Sequence, residues 1–204
     1  MRKINFQNKE IIPSKIVCIG RNYVEHIHEL NNEVPENMVV FNKPNSALTR
    51  YLYYYSEDTR FEGEICFLIE EKQIAGVAFG LDLTKADTQN YLKEKGLPWE
   101  RAKGFDGSAV IGEFVAFKGN VKKLRFELFV NDELRQYANY DLMIYKPYVM
   151  INEIDDFMSL EDGDIIMSGT PKGVSNYKVG DVFRAVIYHE NDILVESLWC
   201  VKER

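Results

Sequence analysis

The chain has 204 residues, 46% hydrophobic and 28% charged, enough to bury one sizeable core and too few to expect two. Its 25 basic and 32 acidic residues leave a formal charge of -7, which repels a phosphate backbone and argues against nucleic acid as a partner. The N-terminus lacks the apolar core of a signal peptide, and no apolar run is long enough to cross a bilayer. The expectation is a cytoplasmic protein with no membrane partner, a single domain over residues 1–204 in which residues 1–13 form a short lead-in.

In chain order, residues 15–19 form a short apolar strand closed by Gly20, and helical spacing follows over residues 23–30. Residues 38–41 and the tyrosine-rich residues 51–55 carry strand-favouring side chains. From residue 61 to 69 the alternation places Phe61, Gly63, Ile65, Phe67 and Ile69 on one face, with Glu62, Glu64, Cys66 and Leu68 on the other. A helix over residues 84–95 is predicted, because Thr84 and Asp87 fit a capping box and Gly96-Leu97-Pro98 supplies a stop. Further on, residues 126–130 turn through Asn131-Asp132-Glu133 into a hairpin, residues 147–157 read as a helix and residues 164–167 as a strand. Residues 182–201 form a second hairpin around Glu190-Asn191-Asp192. The fold class is α+β and strand-rich, with no repeat or linker.

Two glutamates at i and i+2 on one strand face repel each other unless a cation sits over them, although an isolated pair of this kind is more often a hydrated strand edge. Asp82 follows an apolar run and precedes a helix start, so spacing alone divides it between metal ligand and helix cap. Glu62, Glu64 and Asp82 together would make a hard oxygen site suited to Mg2+ or Mn2+. His26 and Glu29 share a helix face and could act as an oriented general base, or merely decorate a surface. Cys18, Cys66 and Cys200 are widely spaced without a C-x-x-C pair and read as free thiols. Gly169-Thr170-Pro171-Lys172-Gly173 lacks the spacing and ending of a P-loop and reads as a tight turn.

Taken in order, five motifs resemble the fumarylacetoacetate hydrolase family over nearly the whole chain. They are Gly20-Arg21-Asn22-Tyr23 with His26 and Glu29, Phe61-Glu62-Gly63-Glu64, Asp82, Lys103-Gly104-Phe105-Asp106-Gly107, and Gly169-Thr170-Pro171-Lys172-Gly173-Val174. The resemblance is closest to the acylpyruvate hydrolase and oxaloacetate decarboxylase branch. It implies a single-domain β-sandwich roll of the family's C-terminal type with a few short helices, usually a homodimer, holding Mg2+ or Mn2+ through Glu62, Glu64 and Asp82. It also implies that His26 and Glu29 activate water, that Lys103 is catalytic, and that Arg21, Gln89, Lys103 and Thr170 line the pocket for a small carboxylated keto substrate. The implied reaction is hydrolysis of a carbon–carbon bond in an acylpyruvate-like β-diketo acid through a metal-stabilised enolate. Decarboxylation of oxaloacetate and isomerisation of a hydroxydienoate (2-hydroxyhepta-2,4-diene-1,7-dioate type) are the alternatives on the same site. A non-catalytic domain of this fold would be expected to have lost ligands or base, and all are present. One departure stands out: Ala86 occupies the place where that branch usually carries arginine.

Overall fold

In a computed structural model, residues 1–25 and 36–204 are described. Strand β3 (Lys15–Gly20) pairs antiparallel with β4 (Val39–Pro44) and parallel with β12 (Ile165–Met167). β12 pairs with β6 (Thr59–Glu70), which forms a long antiparallel hairpin with β7 (Gln73–Lys85). β8 (Ala109–Ile111) and β5 (Leu48–Thr49) continue this sheet, with β13 (Ser175–Asn176) on β6 and β9 (Val115–Ala116) on β7. A second, four-stranded sheet has the order β11 (Glu133–Asn139), β10 (Leu124–Val130), β14 (Val182–His189), β15 (Asp192–Cys200).

The alternation along β6 and β7 builds two apolar layers. Phe61, Ile65 and Phe67 join Phe79, Leu81 and Leu83 in a core closed on its far side by Phe126, Leu128, Phe183 and Ile187 of the four-stranded sheet. The opposite face buries Cys66, Leu68 and Ala78 with Ile16, Cys18 and Met167, beneath Ile4 and Phe6 of the hairpin β1 (Ile4–Phe6) and β2 (Lys9–Ile11). A sheet covered on both faces explains why its central strands read as almost continuous apolar runs. The observed architecture is the strand-rich sandwich roll with few helices that the sequence leads one to expect.

Three short helices fall among the described residues: α1 (Ala86–Glu94), α2 (Glu100–Lys103) and α3 (Pro147–Asp155). The predicted 23–30 helix begins at Val24 and Glu25, and its remainder lies outside the described residues. Three expectations need correction. Thr84 is the penultimate residue of β7, so the helix starts at Ala86, its first N–H bonded to the Asp58 carbonyl, and the capping box assigned to Thr84 and Asp87 does not form. Asp82 lies within β7 and caps nothing. The tyrosine run over residues 51–55 is not a strand: only Tyr53 bridges, to Lys202. Its rings pack instead, Tyr54 on Tyr177 and Tyr55 on Phe105, which places β-favouring side chains in a core without a ladder partner for the backbone.

Candidate metal centre

The register of the β6–β7 hairpin creates the site. Glu62 lies directly opposite Asp82, and Glu64 sits two residues along the same face of β6, so three carboxylates project from one side of the sheet. One oxygen from each lies within 4.8 Å of the others. The hydrated-edge alternative fails because β6 is flanked by β7 on one side and by β12 and β13 on the other, and Glu64 and Asp82 are only 2% and 1% exposed.

Two ammonium groups face the cluster. Lys103, at the end of α2, donates to Glu62 Oε2 at 2.9 Å, Asp82 Oδ2 at 2.7 Å and Thr84 Oγ1 at 2.5 Å. Burial alone would depress this amine, but Asp82 and Glu62 hold it above the ordinary lysine value, so it is a fixed cation. Lys43 of β4, fully buried, stands 2.7 Å from Asp82 Oδ1 and bonds to Ser108 Oγ and the backbone carbonyl of Lys103. The Thr84 hydroxyl donates to Glu62 Oε1 at 2.9 Å. Lys43 and Thr84 were not apparent as site residues in the sequence. Lys43 alternates with Phe41 and Val39 on a strand, and that lone charge in an otherwise apolar face was the available signal.

The turn after β12 closes the other side. Gly169 N–H donates to Glu64 Oε2 at 2.8 Å, and the Thr170 hydroxyl donates to Gly63 O at 3.0 Å. Gly169 has φ +90°, and a Cβ there would come within 2.7 Å of Asn22 Cβ and 2.9 Å of Ile19 O, so only glycine presents its N–H in this way. Gln136 of β11, also unforeseen, is 1% exposed: it accepts from Gly63 N and donates to Thr170 Oγ1, both at 2.8 Å. The four-stranded sheet thereby sets the position of Thr170.

With all three carboxylates ionised, as metal binding requires, the two ammonium groups leave one negative charge in excess. Burial pushes the Glu64 carboxyl well above the usual glutamate range, and Asp82 and Glu62 push it further, against the Gly169 N–H and Lys103. Asp82 Oδ1, although ion-paired with Lys43, receives no aligned hydrogen bond. An all-oxygen donor set, an unmatched charge and an oxygen with a free lone pair fit a hard divalent cation. The residues present therefore fit the group.

Among the remaining candidates, Arg21 is half-buried in a left-handed conformation, φ 56°, directly before Asn22, whose side chain bonds to Ser168 O and to the Tyr145 backbone. Gln89 is buried on the face of α1 that also carries Ala86. His26 and Glu29 lie outside the described residues. A cavity of about 410 Å3 opens beside Lys103, lined by Phe41, Leu97, Pro98 and Trp99 among others. Among the described residues no helix is long and apolar enough to cross a membrane, and the three cysteines are free thiols.

Comparison with known proteins agrees with this geometry. The family described as fumarylacetoacetate (FAA) hydrolase C-terminal matches residues 15–196. The mitochondrial oxaloacetate tautomerase of Bos taurus is 37% identical over 191 residues, covering 85% of this chain and 86% of that protein. An oxaloacetate tautomerase of Escherichia coli is 37% identical over 82% of this chain and 85% of its own length. Among solved structures, a putative fumarylacetoacetate isomerase/hydrolase from Oleispira antarctica superposes with a TM-score of 0.93 at 33% identity, covering 99% of this chain and 100% of that one. Fumarylpyruvate hydrolase from Pseudomonas aeruginosa, solved in complex with Mn2+ and pyruvate, gives 0.90 at 27% identity, covering 100% of this chain and 96% of that one. With a strand register that gathers the three carboxylates and a family match over most of its length, the chain belongs to the fumarylacetoacetate hydrolase family.

Proposed function

We propose that this chain is a Mg2+- or Mn2+-dependent hydrolase that cleaves a carbon–carbon bond in an acylpyruvate-like β-diketo acid. The observation that carries the reading is Lys103, an ammonium group held on Glu62 and Asp82 beside Thr84, where negative charge develops on a keto oxygen during cleavage. Glu62, Glu64 and Asp82 would hold the divalent cation, which would supply positive charge for binding the keto acid and for stabilising negative charge as it develops.

The chain's own residues do the rest. Arg21 and Gln89 bind and orient the pyruvate end by charge and hydrogen bonding beside Thr170, while Lys103, whose three N–H bonds go to Glu62, Asp82 and Thr84, contributes its charge. His26, oriented by Glu29, takes a proton from water as its oxygen bonds to the distal carbonyl carbon; these two roles rest on the family resemblance. The carbon–carbon bond then breaks, its electron pair passes into the pyruvate enolate, the acyl group departs as a carboxylate, and protonation of the enolate gives pyruvate. The Mn2+ and pyruvate bound by the Pseudomonas aeruginosa relative support the metal and this product end.

A second reading, tautomerisation or decarboxylation of oxaloacetate, is favoured by the oxaloacetate tautomerases from Bos taurus and Escherichia coli, at 37% identity. It uses the same enolate-stabilising groups without water attack. Product analysis on acylpyruvates, oxaloacetate and hydroxydienoates, with Mg2+ or Mn2+ and with chelator, decides between them. On the hydrolase reading, His26→Ala abolishes acylpyruvate cleavage while metal affinity and oxaloacetate turnover survive. Absence of metal-dependent turnover throughout the panel would overturn both readings.

A further inference from the structure

Asn22 has no part in the proposed chemistry, yet it is fully buried and uses three of the four bonding positions of its side-chain amide. Its Nδ2 donates to Ser168 O at 2.8 Å and to Tyr145 O at 3.1 Å, while Oδ1 accepts from Tyr145 N at 2.6 Å. The Asn22 backbone carbonyl accepts from Ile144 N at 2.8 Å. The amide therefore ties the turn after β12 to the segment that leads into α3. Without it, several buried backbone groups lose a partner, which is a cost that packing alone does not offset.

The bond to Ser168 O reaches the carboxylates through one peptide unit. The carbonyl of Ser168 and the N–H of Gly169 belong to the same peptide, and that N–H donates to Glu64 Oε2 at 2.8 Å. A peptide is planar and trans, so fixing the direction of its carbonyl fixes the direction of its N–H. The result is a chain of two hydrogen bonds running from Asn22 through the peptide to Glu64, in which each bond polarises the other. Rotating the plane by half a turn would set a carbonyl oxygen against Glu64, and Asn22 opposes that rotation. Contact acts in the same sense: a Cβ on Gly169 would fall 2.7 Å from Asn22 Cβ, so the turn has no room to withdraw from the carboxylate on that side. Ser168 N, bonded to Ile65 O at 3.1 Å, holds the near end of the turn on β6.

From this chain of bonds we infer that Asn22 is a positioning residue of the metal centre: by holding Ser168 O it aims the Gly169 N–H at Glu64, and so fixes the carboxylate that a divalent ion would share. The test reads metal affinity and one backbone amide without substrate, so its outcome does not depend on which reaction the site performs. Calorimetry measures Mn2+ affinity, and proton–nitrogen correlation spectra of the metal-free and Mg2+-loaded protein follow the Gly169 amide. Asn22→Asp keeps the shape and the acceptor for Tyr145 N but turns an oxygen toward Ser168 O; Asn22→Ala removes the group. Both variants lower Mn2+ affinity by about 10- to 100-fold, the usual effect of losing a group that orients a metal ligand. In both, the Gly169 amide proton moves upfield and exchanges faster with solvent. Val195→Ala is the control, a core deletion in β15 at the sheet edge opposite β11; it lowers the melting temperature but changes Mn2+ affinity by less than about twofold and leaves the Gly169 resonance in place. An Mn2+ affinity within about twofold of wild type in both Asn22 variants, an unmoved Gly169 resonance, or an equal loss in Val195→Ala overturns the inference. Should neither Asn22 variant fold, Mg2+ titration of the wild type decides: the Asn22 side-chain amide resonances shift together with that of Gly169, and their standing still while Gly169 moves overturns it.

Discussion

Replacing Lys43 by methionine tests whether the carboxylate cluster is held together by charge. Lys43 is 0% exposed, and its amine is the ion-pair partner of Asp82 Oδ1 at 2.7 Å. Methionine fills most of the stem volume but leaves three carboxylates facing Lys103 alone. Removing one partner of a buried pair costs about 3–5 kcal/mol, because the remaining charge is left uncompensated. In a chain of this size each kcal/mol lowers the melting temperature by about 2–4 °C, so a fall of roughly 6–20 °C is expected in chelator. Mn2+ supplies positive charge at the same oxygens, so it should raise the melting temperature more in Lys43→Met than in the wild type. Calorimetric or fluorescence melts with chelator and with saturating Mn2+ measure both quantities. A fall of under about 3 °C in chelator, or an equal Mn2+ effect in the two proteins, would refute the electrostatic account.

The raised Glu64 carboxyl predicts linkage between protons and metal. The folded, metal-free protein keeps this proton at pH values where the unfolded chain has lost it, so the associated stability is full below the ordinary glutamate value and is lost as pH rises through the folded one. Mn2+ binding should therefore release a proton between those limits, seen as a dependence of binding heat on buffer ionisation enthalpy; Glu64→Gln should remove it, together with tight binding. Asp164 runs the other way: burial would raise it, but Lys15 and Ser14 hold it below the ordinary aspartate value. Its contribution is present above the unfolded value and lost as pH falls through the folded one, so Asp164→Asn should cost about 1–3 kcal/mol in urea melts at neutral pH and much less in acid. Gly169→Ala forces a Cβ against Asn22 and Ile19 at φ +90°, and should reduce Mn2+ affinity by displacing the N–H that holds Glu64; an unchanged affinity would separate that turn from the metal site. Gln136→Leu should raise KM by releasing Thr170, and should also weaken Mn2+ binding, since it leaves the buried Gly63 N–H between Glu62 and Glu64 without its acceptor; unchanged Mn2+ affinity would separate Gln136 from the carboxylate site.

Local pattern made much of the protein legible. Alternation over residues 61–69 correctly divided β6 into a core face and a carboxylate face, because one buried side imposes a period of two. The two hairpins were visible from their turns: Asn131 and Asp132 adopt φ 51° and 65°, and Glu190 adopts φ 59°, conformations that short polar turns accommodate. Where local chemistry had two solutions, it misled. Thr84 and Asp87 satisfy the spacing of a capping box, yet Thr84 stays in β7 because its hydroxyl bonds to Glu62 and accepts from Lys103, nineteen residues away. The tyrosines over residues 51–55 have strand-forming side chains but obtain only one bridge, since strand formation requires a partner that sequence does not name.

By itself, then, the sequence determined the face on which Glu62 and Glu64 lie, the strand-rich class and, through five ordered motifs, the family. Only the tertiary structure decided that Asp82 stands opposite Glu62, that Lys43 and Lys103 share its charge, and that Gln136 reaches from the other sheet to hold Thr170. The reason is physical: side-chain periodicity is a property of one segment, whereas hairpin register, burial and the compensation of charge depend on which distant segments fold against it.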